Sequence, residues 1–177
     1  MVDCALRHTR AADSSIQKLR INYKEKSTPM TATLRETLLA PGIQPKVLDD
    51  CQTLIDQEVA DKSGVSGAAV KLAYKTATSF APGYFRRTLE DMLPQIVDKL
   101  EPYWADFSTS GSSEFGDYLH KRGQEVAEDL LSLTDQIAEV SKRPAITKAY
   151  RAVRGSASKN VQAALPRVGD LVMKYAV

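Results

Sequence analysis

A chain of 177 residues and 19.5 kDa can bury about 70% of its unfolded surface around one core, so it needs neither disulfides nor metal to fold. With 43% hydrophobic and 26% charged residues, nine Gly, eight Pro and two Cys, collagenous, disordered and disulfide-stapled classes are excluded. The formal net charge of +2 conceals an asymmetry along the sequence that is taken up below.

Residues 1–29 carry polar clusters and weak periodicity and close on Pro29. They read as a weakly ordered N-terminal extension or a mis-assigned start, with Met30 opening a single helical domain over residues 30–177. Thr33 and Glu36 then form a capping-box pair ahead of Leu34, Leu38 and Leu39, and Pro41-Gly42 stops this first helix. Pro45 suits the start of the second, whose Val47, Leu48, Cys51, Leu54, Ile55 and Val59 recur at three and four residues up to Gly64. Ser66 is the expected cap of a third helix with Ala69, Leu72, Ala73, Thr76 and Phe80 on its apolar side, ending at Pro82-Gly83.

The fourth helix is expected from about Thr88, with Glu90 and Asp91 favouring its N-terminus and Leu89, Met92, Leu93, Ile96, Val97 and Leu100 on one face. Pro94 either lies in its first turn or kinks it. Pro102 is expected to turn the chain onto a second short helix carrying Tyr103, Trp104 and Phe107. After the loop at residues 108–113, Phe115, Tyr118 and Leu119 form a brief helix ended by Gly123, and Val126, Leu130, Leu133, Ile137 and Val140 define the next. The C-terminal region reads as two helices parted near Gly155, with Pro166 nicking the second. With no alternating strand pattern, the fold class is all-α: an irregular bundle of six to eight helices with proline kinks near residues 94 and 102.

Charge is segregated. Residues 1–30, 31–141 and 142–177 carry +3, −8 and +7, and in the last segment eight Lys/Arg face only Asp170. One reading makes Lys142, Arg143, Lys148, Arg151, Arg154 and Lys159 a surface for phosphate groups on a membrane or nucleic acid, or for a protein partner. The other, which is favoured, packs the basic segment against an acidic middle bearing Asp49, Asp50, Asp56, Glu58 and Asp61, so that the fields cancel. Nucleic acid is the weaker partner: Tyr150 and Tyr175, the aromatics of that segment, fall on its apolar faces.

No catalytic constellation emerges. Two His and two Cys are too few and too scattered for a closed metal site, and no cofactor or metal is expected. The Gly64-Val65-Ser66-Gly67 run lacks the lysine of a phosphate loop and the strand of a nucleophile elbow. His120, a turn from Asp117 and Glu114, is expected at a helix end, on the surface or capping it. Cys4 and Cys51 read as a free thiol and a buried core atom, which suits a reducing cytoplasm. The longest uncharged stretch, residues 76–85, is half the length of a spanning helix. Met92, Tyr103, Trp104, Phe107 and Phe115 could line an apolar pocket, although core packing is the stronger reading of such aromatics.

LIDQEVADKSGVSGAAVKLAYK, APGYFRRTLEDMLPQIVDKLEPYWADF, FGDYLHKRGQEVAEDLLSLTDQ and KAYRAVRGSASKNVQAALPRVGDLV together resemble an uncharacterised family of small helical bacterial proteins, over about residues 30–175. The most specific elements are Asp56 to Gly67 and Pro102 to Phe107. The resemblance implies a bacterial, cytoplasmic, single helical domain and brings no catalytic residues. The leading expectation is therefore a non-enzymatic interaction or regulatory protein. Next come a lipid or small hydrophobic ligand binder acting at an anionic membrane surface, and weak nucleic-acid binding through the basic C-terminal helices.

Overall fold

The computed structural model describes residues 32–79 and 82–176, and these form seven α-helices with no strand among them. The expectations for residues 1–29, Cys4 and Phe80 fall outside the described residues. In chain order the helices are α1 (Leu34–Leu38), α2 (Gln44–Asp61), α3 (Gly64–Ser79), α4 (Tyr84–Ser110), α5 (Phe115–Lys121), α6 (Gly123–Val140) and α7 (Pro144–Ala176).

Helix α1 starts at its capping box: Thr33 Oγ1 accepts from the Glu36 amide at 3.1 Å, and Glu36 Oε2 accepts from the Thr33 amide at 3.0 Å. Both buried leucines of α1, Leu34 and Leu38, then point into the core. Helix α3 departs from its expected form. It begins at Gly64, so Ser66 lies in its first turn instead of preceding it.

Helix α4 is one element of 27 residues where two were expected, and it begins at Tyr84, four residues early. Both Pro94 and Pro102 lie in its interior. Each removes a backbone hydrogen bond at a cost of about 3 kcal/mol. Leu89, Leu93, Val97, Leu100, Tyr103, Trp104 and Phe107 are buried on either side of them. At about 1.5–3 kcal/mol for each large apolar side chain taken from water, that face outweighs both prolines. Glycines at positive φ bound the helix, Gly83 at 69° and Gly111 at 73°, a conformation that costs glycine nothing.

The C-terminal region is likewise one helix, α7, 33 residues and about 50 Å long. Gly155 does not part it, because a mid-helix glycine costs only about 1 kcal/mol against alanine. This helix is the spine of the bundle, packing on α1, α2, α3, α5 and α6. Its tightest contact is with α5. A Cβ placed on Gly169 would lie 2.1 Å from the Gly116 nitrogen, and one on Gly116 would lie 2.6 Å from the Pro166 carbonyl oxygen. The two backbones touch, and no side chain fits between them.

Around this crossing the core is closed. Leu34, Phe115, Leu119, Val126 and Leu165 are fully excluded from solvent. Trp104 meets Phe115 edge-on at 5.2 Å, and Phe107 packs on Phe115 at 5.1 Å and on Tyr118 at 5.7 Å. Trp104 Nε1 and Tyr118 Oη are buried without a hydrogen-bond partner. That costs about 1–3 kcal/mol each. Ring pairs contribute about 0.5–1.5 kcal/mol apiece beyond area burial, which offsets much of it.

Substituting two glycines of α7 separates contact from continuity. Gly169→Ala should destabilise the chain by about 1–3 kcal/mol or more, since backbone rather than a flexible side chain must move. Gly155→Ala, with nothing within 4 Å of the new Cβ, should stabilise it by about 0.5–1 kcal/mol. Urea titration of both variants measures the contrast; a stabilising Gly169→Ala would contradict the contact.

Candidate functional site

The other side of the bundle is not closed. Between α2, α4, α6 and α7 lies a partly enclosed cleft of about 350 Å³. Val47, Cys51 and Ile55 supply one wall, and Leu89, Leu93 and Val97 a second. Leu130 and Leu131 of α6 and Val161, Val168 and Val172 of α7 complete it. A second apolar cavity of about 300 Å³ lies between α3, α4, α6 and the first turns of α7, with Val59 of α2 at its edge. Phe85, Thr88, Met92 and Thr134 line both, so the two spaces adjoin across these four side chains.

No charged residue lines either cavity. Their few polar atoms are largely engaged already. Thr88 Oγ1 donates to the Tyr84 carbonyl at 3.0 Å, and Thr134 Oγ1 donates to the Leu131 carbonyl at 2.9 Å while pairing with Tyr150 Oη. Burial pushes the Cys51 thiol up to about 11, with the Asp50 charge adding to the shift, so the sulfur stays protonated and behaves as a small apolar surface.

The sequence-derived pocket residues are not brought together. Tyr103, Trp104, Phe107 and Phe115 are buried in the closed half, whereas Met92 stands on α4 at the junction of the two cavities. Most of the cavity-forming residues stand on apolar stripes that helical spacing marks only as core. Helix α3 turns Val70, Ala73, Tyr74 and Ala77 inward and leaves Leu72, expected on its apolar face, 67% exposed. Both sets satisfy helical spacing. Tyr74 decides between them by packing edge-on against Phe85 at 5.1 Å and donating from its hydroxyl to Asp56. Val140, expected on the apolar stripe of α6, is 78% exposed at the last turn of that helix.

The cations of residues 142–177 differ in their surroundings. Arg154 holds Asp135 through two nitrogens, Nε to Oδ1 at 2.8 Å and Nη2 to Oδ2 at 2.9 Å, and reaches Glu128 at 3.0 Å. Arg167 bridges Glu58 at 2.7 Å and Asp61 at 2.8 Å, and Lys174 meets Asp50 at 2.6 Å. Arg167 and Lys174 thus meet Asp50, Glu58 and Asp61 of the five carboxylates expected to cancel the basic segment, whereas Asp49 pairs with Arg86 and Asp56 accepts from Tyr74. Arg143 lies over the Tyr84 ring, 4.3 Å from its centroid. Lys142, Lys148, Arg151 and Lys159 are exposed and make no ion pair among the described residues.

Nothing in the described residues gathers three or more His, Cys, Asp or Glu into a metal-holding group, and His120 is exposed in the last turn of α5. No described helix is long and apolar enough to cross a membrane. With the fold and its cavities established, the sequence matches the family of unknown function DUF6918 over residues 34–176. The chain belongs to that family. No curated protein and no solved structure matches it. For this DUF6918 chain, the cavities and the charge layout are therefore the functional evidence.

Hydrogen bonds from Arg154, then Tyr150, hold the Asp135 carboxyl below the usual carboxylate range, and Lys174 followed by Tyr175 does the same for Asp50. A carboxyl depressed in the folded state lends stability above its unfolded value, about pH 4, and loses it as pH falls through the lower folded value. Acid should thus loosen α7 from α6 and α2. Asp135→Asn should flatten the fall in stability below about pH 4 relative to the parent chain. Urea midpoints taken across the acid range test this, and parallel curves would contradict it.

Proposed function

We propose that this chain is a bacterial cytoplasmic, non-enzymatic binding protein whose two adjoining cavities hold an uncharged apolar molecule or the hydrocarbon part of an amphiphile. The observation that carries the reading is the size of the cleft together with the chemistry of its walls. Protein interiors pack to the density of organic crystals, with few voids larger than water. A void of about 350 Å³, sealed and empty, would cost about 8 kcal/mol on the cavity scale for core deletions, comparable to the whole stability of a domain; the cleft is partly enclosed, so that figure is an upper bound on the penalty of its unfilled apolar walls. Water is a poor filling, because a buried water needs two to four polar partners and this lining offers few. An apolar guest removes both penalties, and the volume falls in the range of small-molecule sites. The absence of a charged side chain from both linings selects a neutral group for the buried portion.

A neutral naphthylamine fluorophore, whose emission rises in apolar surroundings, provides the test. The chain should bind it, and a long-chain alcohol should displace it. Ala164→Phe, which places a ring in the first cavity, should weaken binding about tenfold, a loss of about 1.4 kcal/mol. Native mass spectrometry of chain purified from its own host should show an excess mass that organic solvent removes. A bare mass together with no fluorophore binding would overturn the reading.

A second reading, that of a helical interaction protein, draws on α3. Val65 is 91% exposed and Leu72, two turns further along, is 67% exposed on the same side, with exposed Ala68 between them. If this strip meets a protein partner, Val65→Lys with Leu72→Lys should abolish recovery of that partner from native lysate; unchanged recovery would dismiss the strip as its site.

A further inference from the structure

We propose that the outer face of the first half of α7 is a docking surface for the phosphate headgroups of an anionic bilayer. Helical geometry, at about 100° per residue, puts Lys148, Arg151 and Lys159 on one stripe about 17 Å long. Ile146, Ala149, Tyr150 and Val153, which line the second cavity, lie on the opposite side of the helix. One helix thus presents an apolar face to the cavity and a basic face to solvent.

Three observations separate this stripe from an ordinary solvated face. First, its cations are unpaired among the described residues, although the same helix satisfies Arg154, Arg167 and Lys174 with carboxylates. Second, a surface hollow of about 420 Å³ lies at its upper end, lined by Ser141, Lys142, Pro144, Thr147, Lys148 and Arg151: three cations, two hydroxyls and no carboxylate. Third, the residues between the cations are small and exposed, Ala152 and Gly155, so a planar array of phosphates can approach the helix without a steric bar. With Lys142 from the hollow the face carries four cations, the lower end of the four to eight Lys/Arg that mark anionic-lipid binding, each contributing about 1 kcal/mol near the surface. Because the apolar face of α7 is turned into the bundle, attachment is electrostatic and reversible, without insertion.

Bilayer is favoured over nucleic acid on two grounds. Tyr150, the aromatic of this half of the helix, is turned inward and committed to Asp135, so no stacking platform accompanies the cations. The other ground rests on the apolar-ligand reading above: a guest that shuns water is collected from or delivered to a membrane.

Co-sedimentation of the full chain with vesicles of phosphatidylcholine, alone and mixed with phosphatidylglycerol, tests the surface. Binding should require the anionic lipid and should disappear at high salt. Neutralising Lys148 or Arg151 to Gln should lower the partition coefficient about fivefold each, while Lys71→Gln with Lys75→Gln on α3 should leave it unchanged. The substituted side chains are exposed, so circular dichroism should show an intact fold. The cavity variant Ala164→Phe should keep vesicle binding while holding the fluorophore about tenfold more weakly, and the stripe variants should keep the fluorophore while losing vesicle affinity. Failure of the cavity reading shows instead as a parent chain that binds the anionic vesicles but not the fluorophore. Docking itself is overturned by equal binding to both vesicle types, by stripe variants that bind like the parent, or by tighter binding to duplex or single-stranded nucleic acid than to anionic vesicles at the same salt.

Discussion

The contact between the backbones of α5 and α7 organises the molecule. At Gly169 and Gly116 the two helices come so close that a single added carbon would overlap the other main chain. This fixes the Leu165 and Gly169 face of α7 against the aromatic cluster of Trp104, Phe107, Phe115 and Tyr118 and commits that face to a solid core, while Val161, Val168 and Val172 of the same turns face the open cleft. The helix's earlier turns are tied to α6 by polar contacts of Arg154 and Tyr150 with Asp135. Elsewhere the apolar stripes of α2, α3, α4 and α6 face one another and α7 across space that they do not fill. The unfilled space and the functional proposal both follow from that division.

The same helix resolves the charge asymmetry. Part of its positive charge is spent inside the molecule, tying α7 to α2 and α6, and part is left outside on the face that no element covers. Whole-segment counts merge the two, because a net charge of +7 over residues 142–177 does not say which cation meets a carboxylate. Partner choice depends on tertiary approach. Glu58 and Arg167, for example, are more than a hundred positions apart in sequence.

Much of the fold was legible from local chemistry. The capping box at Thr33 and Glu36, the Pro41-Gly42 stop, the short α5 and its break at Gly123 are decided within a few residues of themselves. The misplaced helix breaks share one cause. Pro94, Pro102 and Gly155 are breakers by local propensity, but each sits in a helix whose long-range packing outweighs a penalty of a few kcal/mol. Leu72 was placed on the wrong face because α3 is rich in small apolar residues, and its two candidate faces differ little until Tyr74 packs on Phe85. The cavities were not legible at all. Periodicity shows which side of a helix is apolar, not whether opposing apolar sides meet.

The central claim is that one half of the interior is closed and the other is open to an apolar guest. Methyl-resolved solution NMR of the chain titrated with a long-chain alcohol tests it most directly. The shifts should concentrate on Val47, Leu89, Leu130, Val161 and Val172, which line the cleft, and should spare Leu34, Leu119, Val126 and Leu165 in the closed half. A titration that leaves the cleft methyls unmoved, or that shifts only the exposed Val65, Leu72 and Val140, would contradict the account.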